Sequence, residues 1–308
     1  MRRTVAIGIA GLLAAFLSLP RASGTIAASA PAPQAAAQPA AESPVDLPNR
    51  EGSLKFGVLG DFGTGKRPQY DMGAQMAKAH ERFPFELVIT VGDNLYGSQG
   101  PRDFQTKFEE PYKALLSAGV KFYASLGNHD EREVQRNYKL FNMDGKLYYS
   151  FKAPKQNVRF FALDSTYPDP AERAWLEKEL DGSNEGWKIP YFHHPLYSSG
   201  ERHGSTPTLS TVWEPLFVKY GVSVVFAGHD HFYERTKPQK DIVYFVTGSG
   251  GQLRKGNIDR RTGLTAKGFD TDQAFLMAEI DRDELFFNVI SRTGAVIDSG
   301  LIRRRKQE

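Results

Sequence analysis

The chain of 308 residues contains no cysteine. That excludes disulfides, thiolate metal ligands, a cysteine nucleophile and a lipid anchor on cysteine, because each needs the sulfur. Any metal must be held by oxygen and nitrogen donors, which favours hard or borderline ions. A long apolar run is missing too. The longest candidate, Thr4 to Leu19, stops at Pro20, short of the roughly 20 residues a membrane span needs. Strong basicity is only superficial. The formal charge of +3 falls to 0 if Arg2, Arg3 and Arg21 are lost with the first thirty residues, which carry no acid. No basic groove interleaved with stacking aromatics is visible, so no nucleic-acid partner is expected. The basic tail Arg303-Arg304-Arg305-Lys306 is an ordinary solvated end.

What is present divides the chain in three. Arg2 and Arg3, the apolar stretch and the small-x-small run Ala28-Ser29-Ala30 mark residues 1–30 as a secretory signal peptide. The arginine pair hints at the twin-arginine route, and an uncleaved anchor is the alternative. The expected location is periplasmic or secreted, with no stable membrane insertion after cleavage. Residues 31–50 are rich in Ala and Pro and poor in large apolar side chains. They cannot bury enough surface to offset ordering entropy, so a flexible tether is expected. Residues 51–308 then form the catalytic domain, in a chain whose 40% hydrophobic and 24% charged residues are ordinary for a globular protein.

From Leu54 onward, short apolar runs alternate with helical patterns, which predicts an α/β protein. Strands are expected at 54–59, 87–91, 120–126, 146–151, 158–163, 189–192, 222–226 and 241–246. Two or three antiparallel strands should follow within 274–302, with a turn at Thr293-Gly294. Helices are expected within 68–82, 103–117, 170–180 and 209–220, the second interrupted near Pro111 because proline removes a helix hydrogen bond. Five of these strands run into a cluster of Asp, Asn or His: Asp61, Asp93, Asn128, His193 and the pair His229/His231. Tyr96 follows Asp93 closely enough for its phenol to reach the same spot.

Strand ends on one edge of a sheet converge, so these clusters predict one site. Carboxylate, phenol, amide oxygen and imidazole together suit metal. Structural zinc would normally use the missing thiolates, and calcium would take more carboxylates and no imidazole. Asp61, Asp93, Tyr96, Asn128, His193, His229 and His231 are too many ligands for one transition ion. Two ions sharing a carboxylate fit better, an arrangement suited to displacement at phosphorus.

The ordered set Gly60-Asp61-Phe62-Gly63, Gly92-Asp93-Asn94-Leu95-Tyr96, Gly127-Asn128-His129-Asp130, His193-x-Pro195-x-Tyr197 and Gly228-His229-Asp230-His231 resembles the calcineurin-like metallophosphoesterases. Tyr96 points to the purple acid phosphatase branch, in particular its small, tartrate-resistant type. The resemblance spans about residues 54–250 and implies a four-layer sandwich of two mixed β-sheets flanked by helices. It also implies two metal ions. Asp61, Tyr96 and His231 would hold Fe3+, Asp93 would bridge, and Asn128, His193 and His229 would complete a site for Fe2+, Zn2+ or Mn2+. Hard anionic donors suit the trivalent ion, and neutral amide and imidazole suit the divalent one. Asn128, His129 and His203 would contact substrate. The two histidines would stabilise phosphoryl charge or protonate the leaving oxygen.

The implied reaction is hydrolysis of a small-molecule phosphate monoester by a metal-bound hydroxide, without a phosphoenzyme. A phosphodiesterase on the same scaffold (cyclic nucleotide or phospholipid head group) and an inactive phosphate-binding module are the alternatives. A protein Ser/Thr phosphatase is disfavoured, since that branch has Asp-Arg where this chain has Leu95-Tyr96. The chain departs from the family pattern at Glu201-Arg202-His203, because the small acid phosphatases usually carry Glu directly before this histidine. Arg202 binding phosphate and Glu201 replacing the acid both remain open, so the proton donor and an acidic pH optimum are in doubt.

Neighbouring polar residues have plainer readings. Side chains alternate along a strand, so only one of His193 and His194 should point into the site, with His193 favoured by its spacing to Pro195. Asp164 should close a turn or support the ligands from behind. Asp130 and Asp230 should orient the adjacent histidines or close turns. Gly248-Ser249-Gly250-Gly251 lacks the lysine and following helix of a P-loop, so a tight loop at the rim is expected. His80 should lie on a helix surface.

Overall fold

The computed structural model describes residues 46–305. The expected signal peptide and most of the expected tether fall outside the described residues. In chain order the strands are β1 (Leu54–Leu59), β2 (Leu87–Val91), β3 (Lys121–Ser125), β4 (Tyr149–Lys152), β5 (Val158–Ala162), β6 (Trp187–Tyr191), β7 (Val224–Ala227), β8 (Tyr233–Thr236), β9 (Val243–Thr247), β10 (Thr265–Phe269), β11 (Ala274–Asp281), β12 (Glu284–Ser291) and β13 (Val296–Arg303). The α-helices are α1 (Arg67–Arg82), α2 (Pro101–Phe104), α3 (Lys113–Ser117), α4 (Arg132–Gln135), α5 (Pro170–Asp181) and α6 (Pro207–Lys219).

The strands form two mixed sheets. One has the order β13-β12-β11-β1-β2-β3 and the other β10-β8-β9-β7-β6-β5-β4. β1, β2 and β3 are parallel, as are β5, β6, β7 and β9. Their runs are apolar on both faces, as strands covered on both sides must be. In β7, Val224 and Phe226 join the core between the sheets, while Val225 and Ala227 join the core around α5 and α6. Phe56 of β1 meets Phe160 and Phe226 of the other sheet edge-on, with ring centroids 5.3 and 6.1 Å apart. Met72 and Met76 anchor α1 on its buried face.

Local chemistry sets the helix ends. Asp169 caps α5 by accepting the Glu172 N–H at 2.7 Å, and Pro170 occupies the first turn, where its missing N–H costs nothing. The helix expected across 103–117 is broken near Pro111. A π-helical turn, Gln105–Glu109, leads into that break, with the Glu110 N–H reaching back to the Gln105 carbonyl. β8 and β10 were not expected. Their sequences, Tyr-Glu-Arg-Thr and Thr-Ala-Lys-Gly-Phe, are mostly polar, and β10 forms the sheet edge. The C-terminal strands are three, joined in an antiparallel meander.

Residues at the end of the expected tether are held against the sheet. The Asn49 and Arg50 backbone N–H groups both donate to the buried Glu279 carboxylate at 2.6 Å, and Leu47 packs on the core. Among the described residues, no helix is long and apolar enough to cross a membrane.

Candidate metal centre

Asp61, Asp93, His193 and His229 each stand two residues beyond the last residue of β1, β2, β6 and β7, and Asn128 stands three beyond β3. Both sets of parallel strands therefore deliver their side chains to one place. The turns are tight. Asp61, Asp93 and His229 take positive φ, at 54°, 49° and 70°, a conformation that non-glycine residues adopt at some cost. The preceding glycines are required by proximity. An added Cβ at Gly127 would lie 2.2 Å from Asp93 Oδ1, and one at Gly228 would lie 2.5 Å from Asp61 Oδ2.

The donor atoms fall into two groups. In the first, the Tyr96 hydroxyl is 3.2 Å from both Asp61 Oδ1 and His231 Nε2, which are 3.4 Å apart. In the second, His193 Nε2 is 3.0 Å from Asn128 Oδ1, 3.1 Å from His229 Nδ1 and 3.4 Å from Asp93 Oδ1. Asp93 stands between the groups: its oxygen, an Asp61 oxygen and a His193 nitrogen lie within 4.8 Å of one another. Donors about 2.1 Å from a shared ion are roughly 3.0–3.4 Å apart at octahedral to tetrahedral angles, so both groups have the spacing of ligand sets.

Protonation supports the same fit. His193 is fully buried and its Nδ1 is 3.0 Å from the Val91 carbonyl. A carbonyl only accepts, so Nδ1 carries the proton and Nε2 turns a lone pair into the centre. Burial, with His194 next, holds His193 well below the usual imidazole range, which disfavours a second proton. The Nε2 lone pair thus faces the Asp93 carboxyl group at 3.4 Å, an arrangement that a cation satisfies. Burial also drives Asp61 well above the usual carboxylate range, reinforced by Asp93, and raises Asp93. Burial pulls His231 down to about 4, with Arg254 adding to the effect. The Tyr96 phenol is pushed far up by burial and by both carboxylates.

His129 and His203 are exposed at the mouth. The His129 N–H donates to Asp93 Oδ1 at 2.9 Å, and its ring lies 4.8 Å from that of Tyr96. The His203 ring is 4.2 Å from the His229 ring. Every residue expected in the site is therefore brought together.

The expectations for His194 and His80 need correction, while Asp130, Asp164 and the Gly248–Gly251 loop follow their turn and tight-loop readings. His194 does reach the centre. One ring nitrogen each from His193, His194 and His229 lies within 4.8 Å of the others, and His194 Nδ1 is tied to Ser165 Oγ at 3.1 Å. Strand alternation does not separate the pair, because β6 ends at Tyr191 and the pleat stops there. Asp130 and Asp230 bond to loops rather than to histidines. Asp130 accepts the Asn94, Leu95 and Gly127 N–H groups, tying the Asp93 turn to the Asn128 turn. Asp230 accepts from Ser198 Oγ at 2.5 Å and Gly204 N–H at 3.1 Å, fixing the loop that carries His203. Asp164 closes its turn through the Thr166 and Tyr167 N–H groups and pairs with Arg132 at 2.7 Å. The Gly248–Gly251 loop folds over the Asp61 turn, Gly250 N–H donating to the Gly60 carbonyl and Gly251 N–H to that of Asp61. His80 is half-buried against Phe85 rather than free on the surface.

Sequence reasoning missed Asn94, Ser165 and Arg254. Asn94 is fully buried, accepts from Thr90 Oγ1 at 2.6 Å and donates to the Ser125 carbonyl at 2.8 Å. Ser165 Oγ accepts the His193 and His194 N–H groups at 3.2 and 2.8 Å. Asn94 sits inside the Gly-Asp-Asn-Leu-Tyr motif, directly after Asp93, and that position was a usable signal. Nothing in the sequence marks Ser165 or Arg254.

Comparison with known proteins agrees with this geometry. The profile of the calcineurin-like phosphoesterase family matches residues 54–233. The chain is 29% identical over 273 residues to purple acid phosphatase 4 of Arabidopsis thaliana, covering 77% of this chain and 80% of that one. It is 27% identical over 259 residues to tartrate-resistant acid phosphatase type 5 of Oryctolagus cuniculus, covering 70% and 79%. In fold it matches the solved purple acid phosphatase from yellow lupin (Lupinus luteus) seeds, with a TM-score of 0.69 at 19% identity over 84% of this chain and 55% of that one.

Proposed function

The chain belongs to the calcineurin-like phosphoesterase family, and from that premise we propose that it is an exported phosphatase that hydrolyses small phosphate monoesters at a two-metal centre. The observation that carries this reading is the lone pair of His193 Nε2 facing the carboxylate of Asp93, inside a ring of donors contributed by both sheets. Asp61, Tyr96 and His231 form the harder donor set and are assigned Fe3+. Asn128, His193 and His229 are assigned Fe2+, Zn2+ or Mn2+, and Asp93 is shared. When bound, the ions supply Lewis acidity toward phosphoryl oxygens and lower the pKa of water, the nucleophile.

The remaining work falls to the chain. The Asp93 carboxylate holds the His129 backbone, so the ring at the mouth is aimed by the same residue that joins the two donor groups. From there His129 is placed to donate a proton to the leaving oxygen. His203 approaches from the opposite loop, packed on His229 and steadied through Asp230. Arg202 stands directly before His203, where the small acid phosphatases carry an acid, and Glu201 is drawn toward Arg261 at 3.6 Å, so this rim favours phosphate. Export rests on the signal-like residues 1–30. N-terminal sequencing of protein recovered outside the cytoplasm should begin after Ala30.

Protein reconstituted with iron plus zinc or manganese should bind two metals per chain. It should turn over p-nitrophenyl phosphate at least tenfold faster than bis-p-nitrophenyl phosphate. A diester preference would move the assignment to a phosphodiesterase, and tight phosphate binding with no hydrolysis under any metal would leave only a binding module.

A further inference from the structure

The His129 ring makes no hydrogen bond among the described residues. Its side chain is 52% exposed, and its Nε2 stands 4.0 Å from Asp93 Oδ2, beyond hydrogen-bond reach. Apart from packing on Tyr96, the direction of the ring is therefore set by its peptide. That peptide is gripped at both ends. Its N–H donates to Asp93 Oδ1 at 2.9 Å, and its carbonyl accepts from Gln99 Nε2 at 2.7 Å.

Gln99 is buried, although Gly97 and Ser98 before it are exposed. All the hydrogen-bonding positions of its amide are used. Nε2 also donates to the Leu95 carbonyl at 3.3 Å, while Oε1 accepts the Glu131 N–H at 2.9 Å and Gln135 Nε2 at 2.8 Å. Only this orientation of the amide works. A reversed one would set nitrogen against the Glu131 N–H and oxygen against two carbonyls. Gln135 is fully buried and locked in turn, its Nε2 reaching Asp130 Oδ1 at 2.7 Å and its Oε1 accepting from Asn94 Nδ2 at 3.0 Å. Lys107 Nζ bonds the Tyr96 and Ser98 carbonyls at 2.8 and 2.7 Å and pairs with Asp103 at 2.7 Å. The segment from Tyr96 to Gln99 is thus a braced strut between a candidate ligand and the His129 peptide.

We infer that Gln99 is a positioning residue, whose amide holds the His129 carbonyl and so aims the imidazole at the leaving oxygen. This rests on the reading of His129 as proton donor. As the P–O bond breaks, its electron pair goes to the leaving oxygen, and the His129 ring passes that oxygen a proton. Removing the Gln99 amide strands the His129 carbonyl, the Glu131 N–H and the Gln135 amide without their partner. The peptide then shifts, and a proton donor displaced by about 1 Å loses much of its effect on rate. The ligand atoms of the metal centre are not among the groups that Gln99 holds.

The test separates leaving groups that need a proton from those that do not. In the metal-loaded, full-length protein, Gln99→Leu should lower kcat for phenyl phosphate about tenfold or more. Its effect on 2,4-dinitrophenyl phosphate should be much smaller, because dinitrophenolate departs as an anion, and the ratio of the two kcat values should fall at least fivefold. In a His129→Ala background the same substitution should change that ratio less than twofold, since the ring it aims is gone. A parallel loss on both esters, or an equal fall without His129, makes Gln99 merely structural and overturns the inference. Gln99→Met keeps the length of the side chain without its amide and serves if Gln99→Leu does not fold. It should reproduce the fall, and a wild-type ratio in it also overturns the inference. A wild type that hydrolyses neither ester sinks the phosphatase reading alone. Hydrogen exchange at the His129 backbone amide of the zinc-loaded protein should still quicken about tenfold in either variant as the grip is lost, and unchanged exchange would overturn it.

Discussion

Tyr96 changes most in meaning between chain and fold. Its phenol stands among Asp61, Asp93 and His231, where burial and carboxylates hold the proton on. A phenolate can form there only beside a cation, so colour reports occupancy by iron. The protein loaded with Fe3+ should show a visible phenolate-to-iron absorption band. Tyr96→Phe should abolish the band while leaving the fold intact by circular dichroism; a band that survives would remove Tyr96 from the ligand set. Glu172 offers a test away from the centre. Burial raises its carboxyl to about 8, even though it accepts the Asp164 N–H at 2.7 Å. The native state thus binds a proton that the unfolded chain releases near its ordinary value of 4.5. Ionising Glu172 in the fold costs stability, and the loss grows as pH rises from about 5 to 8. Denaturant midpoints should shift in favour of Glu172→Gln over that range, and a constant difference between the two proteins would contradict the sign.

At the scale of elements, the centre depends on how closely loops can approach. The Asp93 and Asn128 turns are clamped by Asp130, and Gly127 leaves space for the Asp93 carboxylate. Gly127→Ala would place a methyl group 2.2 Å from Asp93 Oδ1 and 2.3 Å from its backbone nitrogen. Relief requires backbone movement. About 1–3 kcal/mol of stability should be lost, in the usual range for overpacking. Bound metal per chain and kcat/KM should fall together by at least tenfold. Loss of stability with full metal content would show that the turn tolerates the strain. Elements also mark where sequence patterns stop being informative. β8 and β10 carry too little apolar alternation to announce themselves, and they form because β9 offers β8 an edge and β8 offers one to β10.

Across the whole molecule, the candidate ligands join two sheets. Asp61, Asp93, Tyr96 and Asn128 come from the sheet of β1, β2 and β3, while His193, His229 and His231 come from the other. Bound ions therefore cross-link the layers that Phe56, Phe160 and Phe226 hold together by packing. Metal binds the native arrangement, so it should stabilise the fold by mass action, about 4 kcal/mol when free metal is a thousandfold above its Kd. Chelation should lower the midpoint of thermal unfolding as one shifted transition, and re-addition of metal should restore it. A midpoint indifferent to chelation would mean that the donors do not bind across the sheets.

The order of the motifs, the absence of thiols and the apolar runs were enough to give the α/β class, the strands that carry the site and its candidate donor set, because each is a local pattern of residue type. Three further things depended on distance between residues far apart in the chain. His194 joins the cluster because β6 ends before it, and Asp130 and Asp230 turn out to brace loops because their acceptors face backbone N–H groups. Arg254 reaches the mouth because its loop is bonded to those of His231 and His203. Sequence spacing says which chemistry a residue carries, and only packing determines what that chemistry meets.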